Sequence, residues 1–208
     1  MSNNSSSPRH AVPSSATEWP VLAEAHQILH AAVAGVPAAG WAGASPCADW
    51  SVAQVAQHAA MDQLLYASSV GGIAKPEGDA FQPSGEWAGD PVSTVEDAIA
   101  ACAAAFAEVA ADAEGIAVPL PPFAVPATIA EGAAALDAAV HGWDIAVATG
   151  QPNPLTDPLA RTLLSVASQL VEPLRGWGAY APAIEPAADA DDTTRLLNYL
   201  GRRPEWQA

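Results

Sequence analysis

Asp137 and His141 stand four residues apart in LDAAVHGWDIAVATGQP, a stretch otherwise dominated by Ala, Val, Leu and Ile. On a helix this spacing stacks the two side chains on one face, one turn apart. A carboxylate and an imidazole so placed make half of a divalent-metal site. Both are costly on a buried face unless hydrogen-bonded or ligated. Two readings follow: a core histidine with Asp137 as its partner, or a metal half-site. The spacing alone does not choose between them.

Other residues invite the same question. His26 and His30 are also four apart, but Gln27 and Glu24 offer no third donor on that face. They read as a solvated or helix-edge pair rather than as ligands. His58 lies in the middle of SVAQVAQHAAMDQLLYASSV, so its interest depends on what faces it. Cys47 precedes a helix, where a dipole can lower a thiol pKa, but Pro46 and Trp50 beside it favour burial. Trp143 reads as core, and Asp144 as a structural hydrogen-bond partner, with the loop leading into the second helix as a candidate for it to hold. Glu131 is six residues before Asp137 and so off the ligand face.

The elements that must hold these residues are mostly helical. Apolar periodicity, with Gly and Pro as punctuation, predicts helices near 20–36, 51–70, 92–114, 127–149 and 157–175. Ser51 with Gln54 reads as a capping box. Thr17 is a candidate cap for the first helix, and Ser93 or Thr94 for the third. Residues 71–91 form a long loop anchored by Phe81 and Trp87, of the kind that covers a site. GIAVPLPPFAVP holds four prolines and cannot be helix; it suits a short extended pair around Pro121 and Pro122. The tail reads as an extended segment, an acidic turn and a short helix near 193–200 stopped by Gly201. Residues 1–17, rich in Ser, Asn and Pro, read as a disordered tail, leaving 18–208 as a single domain.

Composition limits the function classes. The net charge is −16, with only 7 Lys and Arg, and this argues against nucleic acid or an anionic membrane as partner. It also weakens any site that holds an anion with many cations; Arg161 and Arg175 remain as single contacts. Two cysteines without a CxxC fit a reducing compartment. No apolar run suits a signal peptide or a membrane span, so a cytoplasmic protein is expected.

Ala-rich helices with few strand signals argue for an all-α bundle. In an up-down bundle the second and fourth helices can face each other, and His58 then meets Asp137 and His141. Two imidazoles and one carboxylate leave room for water or substrate, a set used by catalytic zinc and by non-haem iron.

Two segments carry a family resemblance. SPCADWSVAQVAQHAA resembles the PC-x-x-W-x-V-x-x-(apolar)-x-x-H segment of DinB-like proteins related to the N-terminal domain of mycothiol-dependent maleylpyruvate isomerase. LDAAVHGWDIAVATGQP resembles that group's D/E-x-x-x-H-x-W-D-(apolar)-A-x-A-x-G segment, in the same order and at comparable spacing. The likeness extends over roughly residues 20 to 205 and includes LLNYLGRRPEW; its nearest branch is a set of actinobacterial metal-binding proteins. The resemblance implies a DinB-like four-helix bundle of the up-down-down-up type, here with an extra C-terminal helix and short extended segments. It also implies a divalent metal, usually zinc, on the residues that match: His58, Asp137 and His141. The isomerase has Glu where this chain has Asp137, which is shorter by one methylene.

The activity implied is a thiol-dependent S-transferase or isomerase, with mycothiol as cosubstrate and a small electrophile as substrate. The metal's role there is to lower the thiol pKa. Two alternatives stay open: a metal-binding module without catalysis, and a bundle recruited to another metal-assisted reaction of specialised metabolism.

Overall fold

The computed structural model describes residues 19–47, 49–121, 123–176 and 178–207. The expected N-terminal tail and the Thr17 cap lie outside them. The elements run α1 Pro20–Ala34, α2 Val52–Gly71, α3 Pro91–Ala107, β1 Ile116–Ala117, β2 Ala124–Val125, α4 Ala127–Ala148, α5 Asp157–Arg175 and α6 Asp192–Tyr199. The fold is all-α. Its one sheet is the two-stranded antiparallel pair, with Ile116 opposite Val125 and Ala117 opposite Ala124.

Helices α1 to α4 pack on one another, α4 against both α1 and α2, while α5 packs onto α4 and α6 onto α5. The composition of α4 explains its central place. Its Ala and Gly positions present little side chain, so helices on several sides reach its backbone. A Cβ on Gly142 would stand 2.7 Å from Ile28 Cγ2 and 3.1 Å from the Leu29 backbone, and one on Gly132 would stand 2.5 Å from Val166 Cγ2. Both glycines are contact points that no other residue type fits without movement. No helix among the described residues is long and apolar enough to cross a membrane.

The helix starts show which local signals act. Ser51 and Gln54 form the reciprocal capping box expected of them. At α3 the cap is Asp90, with Pro91 in the first turn, and not Ser93 or Thr94. Pro91 has no N–H to lose, so the helix begins as soon as a side chain can cap it. No side chain of its own segment caps α1. Glu131 of α4 does so instead, accepting from the backbone N–H groups of Val21 at 3.0 Å and Leu22 at 3.1 Å. This is the task of Glu131, off the ligand face as expected.

The third helix ends at Ala107, well short of residue 114. The indole N–H of Trp19 donates to the Phe106 carbonyl at 2.7 Å, and Glu108 and Val109 close tighter three-residue turns. The freed chain 108–114 then runs toward the hairpin, where the Ala113 carbonyl accepts from Ala127 N–H at 2.9 Å. The C-terminal helix stops before Gly201, whose φ is 79°.

Candidate metal centre

Helices α2 and α4 bring His58, Asp137 and His141 together. One donor atom from each lies within 4.8 Å of the others. Asp137 Oδ1 stands 3.7 Å from His58 Nε2 and 3.5 Å from His141 Nε2. Donors around one small divalent ion stand roughly 3–3.5 Å apart, given bonds of about 2.0–2.2 Å. The two rings meet edge to face, with centroids 4.7 Å apart. The side chains of Asp137 and His141 keep 12% and 11% of their surface, so the cluster is not sealed.

Each ring is oriented from behind. His58 Nδ1 lies 2.8 Å from the Ala80 carbonyl, and a carbonyl can only accept. Nδ1 therefore carries a proton, which leaves Nε2 as the atom that can present a lone pair to a metal. His141 Nδ1 lies 3.0 Å from Asp144 Oδ2. Burial alone would raise the Asp144 pKa, but Arg202 and His141 hold it below the usual carboxylate range. Asp144 is thus an acceptor, and His141 also offers Nε2. Burial lowers the His141 pKa to about 4, which keeps the ring neutral at pH 7. Two histidines with fixed tautomers aimed at one carboxylate oxygen are the arrangement ligating histidines adopt.

A second carboxylate borders the cluster. Asp62, one turn after His58, is 8% exposed and places Oδ2 3.7 Å from His58 Nε2. Burial, and then the neighbouring Asp62, push the Asp137 pKa well above its ordinary value. Gln63 Nε2 donates to Asp137 Oδ2 at 3.3 Å, but among the described residues no Lys or Arg contacts either carboxylate directly. Two acids and two imidazoles with inward-facing Nε2 atoms, without a Lys or Arg beside them among the described residues, form a donor set that a divalent ion fits.

The long loop reaches this place from outside. Gln54 donates to the Pro83 carbonyl at 2.9 Å, Gln57 accepts from Gly85 N–H at 2.7 Å, and His58 bonds Ala80. Phe81, 51% exposed, sets its ring 5.8 Å from that of His58. Between α2 and this loop lies a cleft of about 400 Å³ lined by Gln57, Met61, Asp79 and Trp87 among others, and none of the three donors borders it.

Other candidates fall elsewhere. His26 is buried, at 5%, and Nε2 bonds Gln63 Oε1 at 2.9 Å, so it is not the solvated residue expected from its helix. His30 is exposed and pairs with Glu96 at 2.8 Å. Trp143 is core, at 1%. Cys47 Sγ lies 3.3 Å from Asp144 Oδ2, so Asp144 does serve the loop before α2. Burial, and then Asp144, raise the Cys47 pKa far above the ordinary thiol value, which favours the thiol over the thiolate at pH 7. Arg161, 70% exposed, pairs with Asp192, and Arg175 with Glu172 and the carbonyls of Ala181 and Tyr199.

Sequence reasoning missed Asp62, Gln63 and Arg202. Asp62 had a signal, because His58-x-x-x-Asp62 mirrors Asp137-x-x-x-His141. Arg202 had two faint signals, the scarcity of cations and its place in the family-like segment LLNYLGRRPEW.

Residues 22–146 match the family described as mycothiol maleylpyruvate isomerase N-terminal domain. Two uncharacterized proteins of Mycobacterium tuberculosis, one from strain CDC 1551 / Oshkosh and one from strain ATCC 25618 / H37Rv, are each 30% identical over 193 residues, which is 86% of this chain and 93% of theirs. No solved structure matches the chain significantly. With its helical bundle and the matched stretch running from α1 to the end of α4, this chain belongs to the DinB-like mycothiol maleylpyruvate isomerase N-terminal domain family.

Proposed function

We propose that His58, Asp137 and His141 hold one divalent metal, zinc as the first candidate, with at least one coordination position open to a low-molecular-weight thiol. The reading makes the protein a thiol-dependent transferase or isomerase, with mycothiol as cosubstrate and a small electrophile as substrate. The observation that carries it is the convergence of two oriented Nε2 lone pairs on Asp137 Oδ1. A bound divalent ion supplies Lewis acidity that lowers the pKa of a thiol in the open position.

The chain's own residues supply the rest. Asp137 contributes negative charge, and its deprotonated form is favoured once a cation offsets Asp62. The Ala80 carbonyl and Asp144 hold a proton on Nδ1 of each ring and keep Nε2 directed inward, and burial keeps the His141 ring neutral. Trp50, with its ring 4.7 Å from His58, and Phe81 give the cluster apolar walls that limit water. Cys47 does not compete as a nucleophile, because it stays a thiol.

Metal analysis of purified protein, followed by conjugation of mycothiol to a panel of small electrophiles with and without chelator, tests the reading. About one equivalent of metal and chelator-sensitive conjugation are expected. Metal without any thiol chemistry would favour the non-catalytic binding module, and absence of bound metal after zinc loading would remove the reading.

A further inference from the structure

The C-terminal segment brings a buried cation to the back of the metal centre. After α6 the chain turns at Gly201, and Arg202 reaches both α4 and the loop before α2. Its guanidinium grips Asp144 with a two-pronged contact, Nε to Oδ1 at 2.9 Å and Nη2 to Oδ2 at 2.7 Å. Asp144 is 0% exposed, and the Arg202 side chain keeps only 11%. A fork of this kind fixes the plane of a carboxylate as well as its charge. The same Oδ2 faces Nδ1 of His141 at 3.0 Å and Cys47 Sγ at 3.3 Å. Arg202, Asp144 and His141 therefore form a chain of contacts that ends on the ring whose far nitrogen faces Asp137 and, beyond it, His58.

We propose that Arg202 is a positioning residue for the metal centre, acting through Asp144 to hold His141 with its proton on Nδ1 and Nε2 directed at Asp137. This rests on the reading of His141 as a ligand. A neutral imidazole can carry its proton on either nitrogen, and only a fixed acceptor selects one. Asp144 is that acceptor, but a buried carboxylate stays in place only while its charge and both oxygens are satisfied. Arg202 satisfies them. Without it, Asp144 is free to turn from the ring, and Nε2 no longer presents a lone pair in every molecule. The centre built by α2 and α4 thus depends on a residue 58 positions beyond Asp144 in the chain.

The test uses the full chain and two readouts. Zinc affinity comes from competition with a chromophoric chelator. The His141 tautomer comes from ¹⁵N shifts of the ring in zinc-free protein. Arg202→Met should weaken zinc binding by about 10–100-fold, the usual range for loss of an outer partner, and turn a single Nδ1–H signal into a mixture. Arg202→Lys, which keeps the charge without the fork, should recover part of both. Arg161→Met removes one ion pair between α5 and α6 without touching Asp144 and should change neither.

The inference is overturned if Arg202→Met keeps the parent's affinity and tautomer, or if Arg161→Met reproduces its effects. Should Arg202→Met fail to fold, Arg202→Lys against the parent carries the comparison. If the parent binds no zinc, the metal reading falls by itself, and the tautomer comparison alone decides the role of Arg202.

Discussion

Helices α1 and α4 each carry two polar residues at the same i, i+4 spacing, and the two faces end differently. On α4, Asp137 and His141 point into one cluster with His58. On α1 the pair splits, with His26 buried against Gln63 and His30 exposed against Glu96. The tautomers separate them further. Gln63 uses its amide N–H groups on the Ala134 carbonyl and Asp137, so its oxygen accepts from His26 Nε2–H. His58 and His141 carry the proton on Nδ1 instead. Equal spacing therefore left the Nε2 atoms of His26 and His30 already used and that of His141 available, and His58 on α2 adds a second available one. What sets them apart is the partner behind each ring.

The largest expected effect tests that contrast directly. His58→Ala or His141→Ala should each lower zinc affinity by more than about 100-fold, beyond the range seen for outer partners. The double replacement of His26 and His30 by Ala should cost less than that, at most about 10–100-fold, since neither is a donor and only His26 reaches Asp137, through Gln63. Competition with a chelator measures both. A comparable loss in the His26 and His30 variant would erase the distinction.

A second effect concerns acid. In the unfolded chain the His141 ring takes up a proton near 6.5, but in the fold only near 4. Between these values the unfolded state binds more protons, so stability falls as pH falls through that window. In chelated protein the loss should be on the order of 2–3 kcal/mol, read by urea denaturation at several pH values. His141→Gln should flatten this part of the profile. An unchanged slope would mean that the ring is not buried as described.

Asp62 sharpens the comparison from the other side, because α1 has no such acidic pair. In chelated protein at pH 7, Asp62→Asn should raise stability by about 1 kcal/mol, since it removes one of two buried acids that lack a cation. In zinc-loaded protein the gain should shrink or reverse. The two melting curves decide it, and a loss of stability without metal would count against the repulsion.

The smallest effect belongs to His30. Its pair with Glu96 is 43% and 53% exposed, so His30→Ala should change stability by less than about 0.5 kcal/mol and leave metal affinity untouched. Thermal unfolding suffices to check it.

Much of the helical framework is legible in local signals, because those signals act over a few residues. The Ser51–Gln54 box and the stop at Gly201 lie where the sequence places them. The third helix is the exception that explains the limit. Ala-rich residues near 108–114 favour helix, but Trp19, far away in sequence, takes the Phe106 carbonyl and the helix ends at Ala107. Glu131 shows the same limit, capping a helix that starts 111 residues earlier at Pro20, as its 110-residue separation from Val21 indicates.

The site divides along the same line. By itself the sequence determined which residues share a helical face, since helical periodicity follows from the backbone, and so it paired Asp137 with His141. Its two family-like segments joined His58 to them. Only the tertiary structure decided the rest: that Asp62 crowds Asp137, that Ala80 and Asp144 choose the protonated nitrogen of each ring, and that Arg202 closes the set from the far end of the chain. These are matters of which groups lose water together and what is left to compensate their charge. Residues tens of positions apart answer that jointly, and no spacing along the chain records it.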